Sequence, residues 1–399
     1  MKILFLATYF PTPVSLSRGN WALEQAQAFK QAGHDVRVVV PTPWLPRWTS
    51  ILGARFSRQI ELADTWNVEG LDVEYWKWPY YPWHMIGKLN RMAPRLLLSG
   101  AQLFLNRPLK RCIETFSPDV VCAHHTMVAG QVAQSWFQKY GLPYVVTDHE
   151  VGDFIECQKR DRVKAVFERV AKDARCMVVV SASMQREAIK ALPEAVFKVI
   201  HNGSSFSPVT NQELQQRTSH KEVTVFCCCK FYGRKDVPLL LQAIEQMAPN
   251  FPQLRLRIAG DGPDRTIIEK QVSEMSSQDR VSLLGLLSPD EVRTEMMAAD
   301  VFALVGWAEP FGVVFLEAMA CGLPVVVCED AGVAEVLENG KNALFSKPRD
   351  LNSVIDALVP LIESQPLRLS LGESARDHFA SEFRWQQVIA KYEDVMSSP

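Results

Sequence analysis

The chain has 399 residues, of which 47% are hydrophobic and 22% charged, and a formal net charge of -2. That length exceeds what one hydrophobic core usually holds, so two domains of ordinary size are expected, and the composition excludes a disordered chain. The near-neutral balance excludes chain-wide attraction to phosphate polymers, and nucleic acid is not an expected partner.

In chain order, MKILFLATYFP comes first. Its apolar run of about eight residues ends at Pro11 and has no small-residue cleavage site, so it reads as a buried first strand rather than a signal sequence. No stretch approaches the roughly 18 uninterrupted apolar residues of a spanning helix. The loop Arg18-Gly19-Asn20 follows, then a helical pattern from Trp21 to Gln31 and the strand DVRVVV.

Between Trp76 and Arg111 lie seven Lys or Arg residues and no Asp or Glu, and Trp44 to Trp83 holds six of the ten tryptophans. Positive charge with amphipathic rings suits an anionic membrane surface over residues 44–111. A partly buried lid over a substrate is the plainer alternative, and base stacking the third.

DVVCAHH, YVVTDH, CMVVVS and VFKVIHNG then alternate with helical patterns, the βαβ rhythm of a parallel sheet. Two of these strands end in histidine: His124 and His125 in the first, His149 in the second. Ligands of open α/β sheets bind at strand ends of this kind. His124 and His125 read more simply as structural, and His149 is the stronger candidate for contact with substrate.

The rhythm stops over SSFSPVTNQELQQRTSHKE, where apolar residues are few, and it restarts with VTVFCCC. LRLRIAG, VSLLG, VFALVG and LPVVVC follow with helices between them. The organisation expected is an N-terminal α/β domain at 1–205, a linker at 206–221, a C-terminal α/β domain at 222–376, and a final helical segment at 377–399.

Three segments of the second half carry chemistry. CKFYGRKDVPLLLQA places Lys230, Arg234 and Lys235 on the loop between a strand and a helix, where cations neutralise a diphosphate leaving group; a solvated basic loop is the bland alternative. IAGDGPDR ends a strand in Gly260-Asp261-Gly262, but GxGxxG fails because Arg265 stands at the third glycine, which disfavours hydride transfer. EPFGVVFLEAMACG puts Glu309 before a helix start and Glu317 five residues past Gly312, roughly 7.5 Å further along the axis. Free amides of the first turn attract anions, and the two carboxylates accept hydrogen bonds from sugar and ribose hydroxyls. Solvated helix-end glutamates are the competing reading.

Nine cysteines without a CxxC pair suit reduced thiols. Neighbours in the run Cys227 to Cys229 point to opposite strand faces, so joint metal chelation there is disfavoured.

The segment from Glu309 to Gly322 resembles the signature of the family-4 retaining glycosyltransferases, and the resemblance covers nearly the whole chain. It implies an α/β GT-B fold, two Rossmann-like domains facing a central cleft, with the domain at 1–205 binding the acceptor, the domain at 222–376 binding the nucleotide sugar, and the segment 377–399 packing back on the first domain. By motif match it implies that Glu309 contacts donor-sugar hydroxyls, that Glu317 binds the ribose, and that amides of Phe311, Gly312 and Val313 bind phosphate. Lys230 and Lys235 fall on the family's arginine and lysine positions, with Cys229 and Asp236 replacing glycines. His149 matches a histidine that hydrogen-bonds the donor sugar, with Glu150 in place of glycine. Gly19 keeps one glycine of a loop that approaches the diphosphate, and Asp261 and Gly262 line the nucleotide pocket. Val305-Gly306 stands where the family usually shows Pro-Ser, and Ser205 where it shows aspartate.

The function expected is a retaining, metal-independent transfer of a hexose-type sugar from a UDP-, GDP- or ADP-sugar to a saccharide or lipid-linked hydroxyl, in cell-surface polysaccharide or glycolipid synthesis. No cofactor and no metal site are expected, and the protein would be cytoplasmic or peripheral at the inner membrane face. A GT-B epimerase or phosphorylase, or an inactive sugar-nucleotide-binding protein, would share the same donor pocket.

Overall fold

The computed structural model describes residues 1–13, 19–79, 94–215 and 222–397. The chain divides into two compact units, Met1–His201 with Trp385–Pro399, and Asn202–Arg384.

The first unit is built on an eight-stranded sheet: β1 (Lys2–Ala7), β2 (Asp35–Trp44), β3 (Thr65–Val68), β4 (Leu71–Pro79), β5 (Val120–His124), β6 (Tyr144–Asp148), β7 (Cys176–Val179) and β8 (Phe197–Val199). Their order is β3-β4-β2-β1-β5-β6-β7-β8, parallel except for the β3–β4 hairpin. β5 and β6 are buried end to end and β1 everywhere but at Lys2, as both faces of a parallel sheet require. β2 runs through Pro41 and Pro43 to Trp44. Its pairing with β1 ends at Val39, so these prolines lie where only β4 is a partner and no second ladder is lost.

Helices of this unit are α1 (Asn20–Gln31), α2 (Ala54–Ile60), α3 (Pro94–Phe116), α4 (Gln131–Tyr140), α5 (Val151–Lys159), α6 (Asp161–Asp173) and α7 (Ala182–Ala191). In the second unit β9 (Val223–Cys228), β10 (Leu254–Ala259), β11 (Val281–Gly285), β12 (Val301–Leu304), β13 (Val325–Cys328) and β14 (Ala343–Ser346) form a wholly parallel sheet ordered β11-β10-β9-β12-β13-β14. Around it lie α8 (Asn211–Gln215), α9 (Val237–Met247), α10 (Arg265–Glu274), α11 (Pro289–Ala298), α12 (Val313–Ala320), α13 (Leu351–Glu363) and α14 (Gln365–Glu382). A final helix, α15 (Trp385–Ser397), belongs to the first unit.

Three expectations shift. The return to the first unit begins at Trp385 rather than 377, because α14 ends in the break at Phe383 and Arg384. From there Trp385 Nε1 donates to Glu24 at 2.9 Å, Thr147 Oγ1 to the Tyr392 hydroxyl at 3.3 Å, and Trp385, Ile389 and Tyr392 join the core beneath α1. The start of the expected linker is packed rather than free: Val209 and Leu214 are buried against Gly322, and Val209 N donates to Ala320 O. Residues 216–221 lie outside the described residues.

The third concerns the aromatic stretch. Trp76 and Trp78, on β4, are buried core residues at 6% and 2% exposure, so this part of 44–111 is sheet interior and not a membrane face. Lys77 is held by Asp64 and by the Leu62 carbonyl. Trp44 and Trp48 are exposed, while Trp83 lies in 80–93, outside the described residues. No helix among the described residues is long and apolar enough to cross a membrane.

Candidate active site

In an open parallel sheet ligands bind at the carboxyl edge where the strand order reverses. In the second unit that reversal falls between β9 and β12. β9 leads into Cys229 and Lys230 and then a single 3-10 turn, Gly233–Lys235; β12 leads into Val305 to Gly312 and then α12. The two loops approach so closely that a Cβ on Gly306 would stand 2.6 Å from the Arg234 carbonyl and 2.7 Å from Lys235 Cα. Trp307 N donates to that same Arg234 carbonyl at 2.9 Å.

The consequence is a contact between residues 74 apart in sequence: Lys235 Nζ lies 2.6 Å from Glu309 Oε2, with the two side chains 11% and 12% exposed. Glu309 is fixed from behind, since its carbonyl accepts from Gly332 N and its neighbour Ala308 N donates to Asp330 Oδ1. Ala308 holds φ 50° and Asp236 φ 48°, left-handed conformations that cost non-glycine residues energy and cluster at functional sites.

α12 starts at a left-handed Gly312, φ 89°, and no side chain caps it. Its first-turn amides and the positive end of its dipole are therefore offered to an anion. Phe311 itself is buried with its ring 6.4 Å from Phe383, and Val313 follows as the first helical residue. Glu317 is partly exposed on the same helix and close enough to β9 for its charge to add to the burial that raises the Cys228 thiol. Cys227 and Cys229 share a side-chain hydrogen bond on one strand face, with Cys228 on the other.

Of the remaining cations, Lys230 is exposed with its ammonium 5.2 Å from the Tyr232 ring centre, and the structure does not bring it to Glu309. Arg234 is partly exposed beside Lys235. Asp261 and Gly262 form the adjoining wall at the end of β10. Asp261 Oδ1 accepts from Gly262 N, and its carboxylate lies 3.6 Å from Arg265. A Cβ on Gly260 would meet the Cys229 carbonyl at 1.9 Å and one on Gly262 the Phe231 carbonyl at 2.5 Å. The glycines here are explained by close approach of the 229–231 loop. Sequence reasoning noted Gly306 only as a departure from the family's Pro-Ser, and it passed over Arg349, whose guanidinium stacks 4.0 Å over the Trp307 ring.

In the first unit the strand order reverses between β1 and β5. Gly19 stands at φ 79° before α1, and a Cβ there would lie 2.5 Å from the Tyr9 carbonyl; Arg18 is outside the described residues. His124, His125 and His149 converge at this edge. His124 Nδ1 is 3.0 Å from His149 Nε2, and the Trp21 ring lies 3.9 Å from the His149 ring, centre to centre. Burial, reinforced by neighbouring imidazoles, holds His124 and His149 well below the usual histidine range, and burial lowers His125 to about 4.

His125 (φ 69°) and Val128 (φ 70°) make a strained turn, anchored by Asp148, whose carboxylate accepts from Thr126 N at 2.7 Å and Thr126 Oγ1 at 2.6 Å. Burial raises Asp148 to about 6. His125, Asp148 and Asp153 each bring one ligand atom within 4.8 Å of the others. Both Asp148 oxygens accept from Thr126, which makes this carboxylate the clamp of the turn. Thr8 Oγ1, His125 Nε2 and Gln131 Nε2 are buried without a hydrogen-bond partner among the described residues.

Comparison with known proteins bears on the family and the fold. The family profile Glycosyltransferase Family 4 matches residues 19–205, and Glycosyl transferases group 1 matches residues 210–378. An uncharacterised glycosyltransferase of Methanocaldococcus jannaschii is 25% identical over 280 residues, 70% of this chain and 75% of that protein. The N-acetyl-alpha-D-glucosaminyl L-malate synthase of Bacillus anthracis is 28% identical over 187 residues, 47% of this chain and about half of that protein, 48%. Among solved structures, a sucrose-phosphate synthase from Thermosynechococcus elongatus superposes with TM-score 0.77 at 20% identity, covering 99% of this chain and 98% of that one. The Anabaena protein HepE, in complex with UDP-glucose, superposes with TM-score 0.71 at 20% identity over the whole of both chains. The chain belongs to the family-4 glycosyltransferases and has the GT-B fold.

Proposed function

We propose that this protein is a retaining glycosyltransferase that moves a hexose-type sugar from a nucleoside diphosphate sugar to a hydroxyl of a saccharide or lipid-linked acceptor, in cell-surface polysaccharide or glycolipid synthesis. The observation that carries the reading is the Lys235–Glu309 pair beside the uncapped start of α12, at the β9–β12 reversal. HepE, which shares the fold, was solved with UDP-glucose, which makes a UDP sugar the first donor to try.

A diphosphate has a stronger claim on Lys235 than one carboxylate has. Drawing the ammonium to the phosphates releases Glu309 to accept hydrogen bonds from sugar hydroxyls. The amides of Phe311, Gly312 and Val313 and the cations Lys230 and Arg234 add to the charge that offsets the departing diphosphate, while Glu317 takes the ribose. That set supplies what a divalent ion supplies elsewhere, so the reading needs no metal and no cofactor. Glu309 orients the sugar and is not the attacking group; the acceptor enters on the face that the leaving group vacates.

The unpartnered Thr8, His125 and Gln131 atoms in the first unit support a hydroxyl-rich acceptor there, since buried polar groups demand partners. Exposed Trp44, Trp48, Ile51, Leu103 and Phe104, with exposed Arg47, Arg107, Lys110 and Arg111, support working at the cytoplasmic face of an anionic membrane.

The deciding experiment is thermal unfolding with UDP, GDP and ADP sugars, followed by measurement of nucleoside diphosphate release with and without acceptor. One donor should raise the midpoint, by linkage, and its diphosphate should be released faster with acceptor. Absence of stabilisation by every nucleotide sugar would remove the reading.

A further inference from the structure

The carboxyl ends of β5 and β6 carry a hydrogen-bonded row. Cys122 Sγ lies 3.9 Å from His124 Nε2, and His124 Nδ1 lies 3.0 Å from His149 Nε2. The His124 and His149 rings are within 8° of parallel, with centres 5.3 Å apart. His124 is the one hydrogen-bond partner of the His149 ring among the described residues.

Chemistry orders the hydrogens along this row. Both imidazoles are neutral, since burial lowers them, so each ring has one N–H and one accepting nitrogen. Cys122 is fully buried and its thiol is pushed up to about 12, so the sulfur keeps its hydrogen. An imidazole nitrogen accepts hydrogen bonds better than a thiol sulfur does, which favours S–H donating to His124 Nε2 over the reverse. His124 then carries its hydrogen on Nδ1 and donates it to His149 Nε2. The remaining hydrogen of His149 must sit on Nδ1. Trp21 packs against this ring with its plane tilted 36°, which limits rotation that would swap the two nitrogens.

We propose that Cys122 and His124 are positioning residues that set the His149 imidazole as its Nδ1–H tautomer, so that His149 meets its ligand as a hydrogen-bond donor. Such a donor suits a phosphate or hydroxyl oxygen of the sugar nucleotide, and it takes His149 out of contention as a general base. This deepens the function proposed above and rests on it only for the identity of the ligand.

The test is NMR of ring nitrogens in protein labelled with [15N]-histidine, with His149 assigned by His149→Gln. Wild-type protein should show His149 as the Nδ1–H form. Cys122→Val, which keeps bulk and removes the thiol hydrogen, should shift the His149 population toward Nε2–H, and Cys122→Ser should restore the native pattern. An Nε2–H signal for His149 in wild-type protein overturns the assignment, whether or not the variants fold. An unshifted His149 in folded Cys122→Val overturns the role of Cys122. The ligand reading is scored separately: a UDP sugar that stabilises the protein yet leaves the His149 signals unmoved denies contact with the donor without touching the tautomer.

Discussion

Lys235 and Glu309 neutralise each other across 2.6 Å in the second unit, each side chain about nine-tenths covered by protein. A largely covered carboxylate or ammonium left alone is costly, so each residue is the reason the other is tolerated there. A site of this kind is stable while empty and exchanges partners when a diphosphate arrives.

Glu309→Gln should therefore separate binding from turnover. The amide no longer holds Lys235, so donor affinity should stay the same or tighten, while kcat falls by about 10²–10³ for loss of a transition-state contact. Lys235→Ala should do the reverse first, weakening donor binding and lowering thermal stability by stranding Glu309. Titration calorimetry with donor beside steady-state kinetics resolves the two; equal loss of affinity in both variants would contradict the exchange.

Gly306→Ala is expected to cost kcat/KM roughly 10²-fold, because its methyl group displaces the turn that carries Lys235, and misplacement of about 1 Å is enough for such a loss. Gly152→Ala is the contrast. It lies in α5, its Cβ would meet nothing within 4 Å, and stability should hold or rise by about 0.5–1 kcal/mol. Native turnover in Gly306→Ala would show that the close approach is dispensable.

Stability should fall as pH drops below about 6.5. His124, His125 and His149 have folded-state values below the unfolded 6.5, so the unfolded chain binds more protons from that point downward. Asp148, raised to about 6, works in the opposite direction between about 6 and 3.8, but it is one group against three. Each net proton is worth roughly 1.4 kcal/mol per pH unit. Unfolding midpoints measured from pH 8 to 5 should decline, less steeply in His124→Leu; a flat profile would contradict the buried neutral imidazoles.

Co-sedimentation with vesicles tests the exposed face of the first unit. Recovery with anionic vesicles should exceed that with neutral ones and drop in the double variant Trp48→Ala, Ile51→Ser, whose side chains are 58% and 82% exposed. Equal recovery with both vesicle types excludes an anionic surface as partner.

Much of the fold is legible before any coordinates. Continuous apolar runs such as KILFLA and VVVC mark strands buried on both faces, and their alternation with helical periods implies two parallel sheets. The β3–β4 hairpin was missed, though Glu69-Gly70 between two β-rich runs is a turn signal, and both residues have positive φ. Tryptophan content suggested a membrane face there, because side-chain type does not say which face of a strand is covered. Trp76 and Trp78 are covered because α3 lies over β4 and Trp136 of α4 packs beside Trp76.

The sequence by itself determined the local devices: the uncapped Gly312 before α12, the spacing from Glu309 to Glu317, and the cations after β9, all set by short-range backbone chemistry. Tertiary structure decided which of them meet. Lys235, and not Lys230, reaches Glu309 because β9 and β12 are neighbours in the sheet and Gly306 lets their loops touch. His149 is turned toward His124 because β5 and β6 run side by side. Strand order is a property of the whole folded sheet, and no window of sequence contains it.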